Sequence, residues 1–185
     1  MLDAPLDGAV CGHCWAAARL ALGQYDGALR DIIHAFKYEG RRSLGLTLGA
    51  MLRDSGADVL RDAACVVPVP LHPWKRLRRG FNQAADLSRQ VGLPVVHALW
   101  RVRLTRSQAG LTAAGRQRNV RGAFRVSPWL SRVSRERFID DRVVVLIDDV
   151  KTTGATLEAC ADVLMEAGAR EVRTLTLARA ELHHR

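Results

Sequence analysis

Two adjacent carboxylates, Asp148 and Asp149, follow directly on five aliphatic residues, Val143-Val144-Val145-Leu146-Ile147. A continuous run of this kind marks a strand buried on both faces of a parallel sheet. After Val150 comes Lys151-Thr152-Thr153-Gly154-Ala155-Thr156, which reads as a tight turn at the strand's carboxyl end. Ligands of open α/β sheets bind at that end of the strands. The turn also opens a helix, whose first N–H groups lack intrahelical partners and have the helix dipole behind them, a setting suited to a phosphate. Gly154 lets the backbone approach closely, and Thr152, Thr153 and Thr156 offer hydroxyls. Neither the dinucleotide pattern G-x-G-x-x-G nor the Walker pattern G-x-x-x-x-G-K-[ST] occurs here. Two carboxylates beside a phosphate cradle would repel the phosphate itself. They suit hydroxyls a few ångströms away, or a divalent cation. A ribose 5-phosphate meets both demands, with its phosphate in the turn and its 2′- and 3′-hydroxyls on the acids. The alternative is a capped, buried helix preceded by two ordinary strand-end acids.

Charge points to the same chemistry. The chain of 185 residues has a formal net charge of +9. Between positions 72 and 125 stand twelve basic residues (Lys75, Arg76, Arg78, Arg79, Arg89, Arg101, Arg103, Arg106, Arg116, Arg118, Arg121 and Arg125) against the single acid Asp86. A GC-rich genome accounts for 25 arginines against 3 lysines, but not for the scarcity of acids in this stretch. The segment makes a local positive field suited to phosphate, pyrophosphate or nucleic acid. For any one arginine, a solvated face is the competing reading.

Four cysteines occur, and only Cys11 and Cys14 have metal-ligand spacing. One C-x2-C pair is half of a tetrahedral zinc site, and His13 between them is a further candidate ligand. Cys65 and Cys160 read as small core residues.

The elements that must position these groups follow from periodicity. Leu29, Ile32, Ile33 and Phe36 predict a helix over 28–36. Ser43 is placed to cap a second helix running to Ser55, with Leu44, Leu48, Met51 and Leu52 as its apolar stripe and Gly56 as its stop. Residues 65–70 predict a short strand, and 71–80 a basic loop. A helix is expected over 82–91 and a strand over 94–100. Between 105 and 122 the periodicity fails, which predicts a long mobile loop. Residues 132–142 read as a charged connection. The sequence 157–168, with Leu157, Ala161, Leu164 and Met165 in helical period, predicts a helix, and 172–178 a further strand. Strand, turn, helix, strand makes a βαβ unit and an α/β class with a central parallel sheet. No apolar run approaches the roughly 20 residues that cross a bilayer, and the N-terminal segment carries Asp3 and Asp7 with no early basic residue. A cytoplasmic protein without membrane insertion is the expectation.

The segment Val144–Thr156, V-V-L-I-D-D-V-K-T-T-G-A-T, resembles the binding motif for 5-phosphoribosyl pyrophosphate (PRPP) of type I phosphoribosyltransferases. Val67-Pro-Val-Pro-Leu-His-Pro-Trp74, Arg79-Gly-Phe-Asn-Gln-Ala84, Thr105-Arg-Ser-Gln108-Ala-Gly-Leu111, Arg116 and Arg118-Asn-Val-Arg-Gly-Ala-Phe124 are similar to the ComF family of competence-associated phosphoribosyltransferase-like proteins. Ile33-His-Ala-Phe-Lys37-Tyr38 fits it too. The resemblance covers 25–180 and implies a phosphoribosyltransferase domain over 25–185, with 1–24 as a truncated remnant of a cysteine segment. Family members often carry a two-pair cysteine zinc ribbon, and this chain has only Cys11 and Cys14 of it.

The resemblance further implies PRPP as ligand with Mg²⁺ as cofactor near Asp148 and Asp149. It places the 5′-phosphate on Lys151, Thr152, Thr153, Gly154, Ala155 and Thr156. Lys75 and Arg79 would act on the pyrophosphate together with Arg76 and Arg78, and a flexible hood loop would close over it with Gln108, Arg116 and Asn119. Thr152 stands where purine-salvage relatives have a carboxylate that serves as base, so hypoxanthine or guanine is disfavoured as acceptor. Two functions are then expected. One is ribosyl transfer from PRPP to an unknown acceptor. The other is a non-catalytic role in DNA uptake, with single-stranded DNA or uptake proteins as partners and PRPP as effector. Fold alone does not decide between them.

Overall fold

The computed structural model describes residues 19–38, 41–74, 77, 80–103 and 113–180. Its centre is a four-stranded parallel sheet in the order β1 (Arg19–Gln24), β6 (Glu171–Arg179), β5 (Val143–Lys151), β2 (Cys65–Pro68). The expected strand over 143–147 is interior, flanked by β6 and β2. It also runs further than expected: Asp148, Asp149 and Lys151 belong to the strand, and the turn is confined to 152–154. The sheet includes a strand before residue 25, since Arg19–Gln24 pairs along β6 from Arg19↔Thr174 to Gln24↔Arg179.

The two faces of β5 explain its unbroken apolar run. Val144 and Leu146 look into one core, with Cys65 and Val67 of β2, Val172 of β6, and Leu157, Cys160, Ala161 and Leu164 of helix α7 (Ala155–Glu166). Val145 and Ile147 look into the other, with Ile33 and Phe36 of α1 (Gly27–Tyr38), Leu48 and Leu52 of α2 (Leu44–Ser55), and Leu87 of α4 (Gln83–Ser88). A one-turn α3 (Ala57–Leu60) follows α2. Gly49 lets α2 meet the end of α4, because a Cβ there would lie 2.4 Å from Gln90 Cβ and 3.1 Å from the Leu87 carbonyl. Met51, expected on the buried stripe of α2, is exposed, because Gly45 and Gly49 form the contact face beside Leu48 and Leu52. Ser43 sits at the N-cap of α2 without a side-chain capping bond.

Three local expectations change. Only Leu99–Arg101 (β3) of the expected strand over 94–100 forms, and it pairs antiparallel with Phe124–Val126 (β4) outside the main sheet. Val95 contributes one parallel bridge to Val66. The expected loop over 105–122 contains helix α5 (Ala113–Val120), and residues 104–112 lie outside the described part. The charged connection at 132–142 contains helix α6 (Arg132–Phe138), capped by Ser131 Oγ, which accepts from Ser134 N–H at 3.1 Å. No described helix is long and apolar enough to cross a membrane.

Candidate functional site

Strand β5 changes character at its carboxyl end. Residues 143–147 are buried, and 148–151 are half-buried. Because strand side chains alternate, the two acids point to opposite faces. Asp149 lies on the α1 face, where Lys37 Nζ approaches its Oδ1 at 2.9 Å; the two side chains are only 13% and 14% exposed. Burial alone would lower the Lys37 pKa. The Asp149 carboxylate, with help from Asp148 and Tyr25, more than reverses this and holds the ammonium above its ordinary value.

Asp148 lies on the other face, within the electrostatic reach of Arg101 and Cys160. Burial, then the neighbouring Asp149 charge, raises its carboxyl to about 7; the Asp149 N–H, donated to Asp148 Oδ1 at 2.9 Å, and the Lys37 and Arg101 cations oppose the rise. Arg101 is itself buried on the inner side of the β3–β4 hairpin, with its guanidinium carbon 5.1 Å from the Phe124 ring centroid and its pKa lowered by burial. Cys160 is buried and its thiol is pushed far up; burial likewise pushes Cys65 up to about 12. Both cysteines are core residues, as their sequence context predicts.

The turn that follows is held by one glycine. Gly154 has φ +85°, a left-handed conformation that residues with a Cβ adopt at a cost, and it is the N-cap of α7. It offers the first turn of the helix no side-chain cap. Thr153 Oγ1 accepts from Ala155 N–H at 3.4 Å. A Cβ on Gly154 would lie 3.2 Å from Lys151 Cε, so the Lys151 side chain folds back along the turn. Thr152, Thr153 and Thr156 are half-buried and Ala155 is buried.

The basic loop leaves from the same edge. Pro68 pairs with Ile147, and Val69 N–H donates to the Ile147 carbonyl at 2.9 Å, so the chain departs one row short of Asp148. It returns at Asn82, whose Oδ1 caps α4 by accepting from Ala84 N–H at 3.2 Å and whose Nδ2 donates to the Val69 carbonyl at 3.1 Å. Both ends of the loop are thereby pinned beside the acid pair. Lys75, Arg76, Arg78, Arg79 and Gln108 lie outside the described residues, as do Cys11 and Cys14. Asn119 is half-buried on α5, which packs against α7; Arg116 is on the same helix, and its side chain is outside the description. Asp86, the lone acid of the basic segment, is held by Arg42 through Nε at 3.0 Å and Nη2 at 2.8 Å.

Among the described residues, no group of three or more His, Cys, Asp and Glu side chains could hold a metal ion. Asp148 and Asp149 are the described acids at the end of β5, and Glu158 Oε1 stands beside the turn, 3.5 Å from where a Cβ on Gly154 would lie. Lys37, Arg101, Asn82 and Glu158 are the residues that sequence reasoning left without a role. Lys37 and Asn82 do fall within segments quoted for the family resemblance.

A second feature lies on the outer face of the hairpin. Trp100 and Trp129, scattered in the sequence, meet edge to face with ring centroids 4.8 Å apart. Trp129 is 72% exposed, and Arg125 stands directly across the hairpin from Trp100. Arg103 Nη1 donates to the Arg121 carbonyl at 3.2 Å nearby in the same loop region.

Residues 77–183 match the phosphoribosyl transferase domain. Competence protein F of Haemophilus influenzae is 33% identical over 186 residues, covering 92% of this chain and 78% of that protein. DNA utilization protein YhgH of Escherichia coli K12 is 31% identical over 186 residues, covering 91% and 77%. Among solved structures, the allosteric regulatory enzyme of purine biosynthesis gives a TM-score of 0.47 at 25% identity, covering 73% of this chain and 25% of that one. A hypoxanthine phosphoribosyltransferase from Staphylococcus aureus gives 0.40 at 16% identity, covering 85% and 70%.

Proposed function

This chain belongs to the ComF family of competence-associated, phosphoribosyltransferase-like proteins, and from that premise we propose that its site binds PRPP and transfers the ribosyl group to an acceptor. The observation that carries the reading is the end of β5: two acids on a buried interior strand, then a turn with Gly154 at φ +85° opening a twelve-residue helix. The 5-phosphate occupies the turn, where helix N–H groups and threonine hydroxyls meet it. The sugar hydroxyls lie against the carboxylates of Asp148 and Asp149.

In the transfer, the bond from C1 to the pyrophosphate oxygen breaks and its electron pair leaves with pyrophosphate. Positive charge develops on the sugar, and the acceptor then bonds to C1 and gives up a proton. Lys75 and Arg79 meet the leaving group, with Arg76 and Arg78 beside them, while Gln108, Arg116 and Asn119 close the hood and exclude water. Mg²⁺, when bound with PRPP, neutralises charge on the pyrophosphate. The two acids face opposite sides of β5 and Asp149 is paired with Lys37, so a single carboxylate at the strand end would hold such an ion together with pyrophosphate oxygens and water, a donor set that Mg²⁺ commonly accepts. Thr152 brings no base to the acceptor, which favours an acceptor that carries its own. Zinc on Cys11 and Cys14 would need ligands from beyond this pair.

The test is calorimetry with PRPP and Mg²⁺ on the wild type and on the double variant Asp148→Asn/Asp149→Asn. Binding by the wild type, lost in a double variant that still folds, supports the reading. Equal affinity would make the acids structural and overturn it.

The Trp100–Trp129 pair favours a second reading, a single-stranded DNA partner. An exposed Trp129 ring against half-buried Trp100, with Arg125 across the strand pair, suits base stacking beside a phosphate backbone. In that reading PRPP serves as effector, and the partner is DNA or a DNA-uptake protein.

A further inference from the structure

Lys37 is one of only 3 lysines in a chain with 25 arginines. The other two, Lys75 and Lys151, fall in the basic loop and at the last position of β5, beside the phosphate turn. Where the composition writes almost every cation as arginine, a compact ammonium at these positions is a distinct choice, since the planar guanidinium fork needs more room. Lys37 stands in the last turn of α1, and its stem is carried into the site by Ile33 and Phe36, both fully buried against β5 and β6. Its ammonium reaches Asp149 Oδ1 at 2.9 Å with both side chains largely out of water. A carboxylate so placed, beside a second carboxylate, would otherwise be uncompensated.

We propose that Lys37 is the positioning residue of the acid pair: its ammonium orients and neutralises Asp149 before a ligand arrives, so that the sugar half of the site is formed without a divalent cation. The proposal rests on the PRPP reading of the site. It divides the site into a sugar-phosphate half that the chain's own charges complete and a pyrophosphate half that depends on Mg²⁺. Ribose 5-phosphate tests the first half alone, since it carries the 5-phosphate and both hydroxyls but no pyrophosphate.

Calorimetry with ribose 5-phosphate, in EDTA and in Mg²⁺, compares the wild type with Lys37→Met, Asp149→Asn and the double variant; thermal unfolding of each checks that it folds. The wild type should bind in EDTA. Lys37→Met should weaken binding in EDTA by about tenfold, the scale of one charge-assisted contact, and Mg²⁺ should restore most of the loss. On the Asp149→Asn background the same change should have little effect, because the charge that Lys37 answers is gone. Lys37→Gln, which keeps a donor but no charge, should follow Lys37→Met, and it serves as the reading variant if the methionine protein does not fold. An equal loss with and without Mg²⁺, or an undiminished loss on the Asp149→Asn background, would mean that Lys37 only packs α1, and overturns the proposal alone. A wild type that binds neither ribose 5-phosphate nor PRPP in either buffer overturns the PRPP reading and the proposal with it.

Discussion

Lys37 Nζ lies 2.9 Å from Asp149 Oδ1, joining the last turn of α1 to the carboxyl end of β5. The consecutive acid, Asp148, faces the opposite side of the sheet towards Arg101. Adjacent in sequence, the two carboxylates therefore have separate surroundings: Lys37 pairs directly with Asp149 and acts on Asp148 only through its field, to which Arg101 adds a second cation. Lys37 approaches its acid directly, whereas burial dominates at Asp148 and lifts its carboxyl to about 7.

That difference gives stability a definite pH dependence. A carboxyl whose folded pKa is raised holds its proton longer in the native state than in the unfolded chain. Between the ordinary carboxylate range and about 7 the native state binds more protons, so this group's contribution to stability falls as pH rises. Asp148→Asn keeps an oxygen to accept the Asp149 N–H but removes the charge. Its melting temperature should exceed that of the wild type at pH 8, and the advantage should shrink towards pH 4. A constant difference between the two proteins across this range would contradict the buried-carboxyl account.

Ile147 is fully buried on the α1–α2 face of an interior strand. Ile147→Ala leaves a cavity that close-packed neighbours fill only in part. Urea unfolding should show a loss of about 2–5 kcal/mol. A loss well below that range would mean that the two helices collapse onto the sheet.

Gly154 has φ +85°, and a Cβ added to it meets Lys151 Cε at 3.2 Å. Gly154→Ala should cost about 1–2 kcal/mol of stability through the left-handed backbone. It should also weaken PRPP binding, because the flexible Lys151 side chain must give way at the mouth of the turn. Urea unfolding and calorimetry separate the two effects. Reduced stability with unchanged affinity would remove the turn from the phosphate site.

The legible parts of this molecule were those with a strong period. Val143–Ile147 announces an interior strand because both faces are apolar, and Asp148 with Asp149 marks its end because polarity begins there. Helix α6 has no buried residue, so no apolar stripe signals it; Ser131 at its cap and the Arg132–Glu136 pair at 2.7 Å, four residues apart, support it instead. Helix α5, with Ala-Ala-Gly-Arg-Gln-Arg-Asn-Val, likewise buries only its last residue among those whose side chains are described. Arg101 reads as one more cation of a basic segment, yet it occupies the inner face of a strand pair whose partner, Phe124–Val126, lies beyond the segment that contains helix α5. Lys37 and Asp149 meet only through the tertiary fold. Nothing local to either residue specifies the other.

The aromatic pair separates the two functional readings. If the basic segment serves pyrophosphate, a few residues matter greatly, and Lys75→Ala should abolish PRPP binding while Arg121→Ala leaves it nearly intact. If it serves single-stranded DNA, many cations contribute alike, and the logarithm of affinity falls linearly with the logarithm of salt, by about 0.7 per phosphate contacted. Trp129 is 72% exposed against Trp100, so base stacking there should be worth about 1–3 kcal/mol. Fluorescence titrations of labelled single-stranded DNA across a salt series, on the wild type, Lys75→Ala, Arg121→Ala and Trp129→Ala, measure these contributions. The expected result is weak, salt-sensitive DNA binding in which the two cation variants lose similar amounts. Trp129→Ala should weaken DNA binding without changing the salt slope, and it should leave PRPP affinity unchanged because its ring lies on the outer face of the hairpin, away from Asp148. Tight DNA binding that survives high salt, or PRPP binding indifferent to Lys75, would reverse the order of the two readings and make nucleic acid the primary ligand.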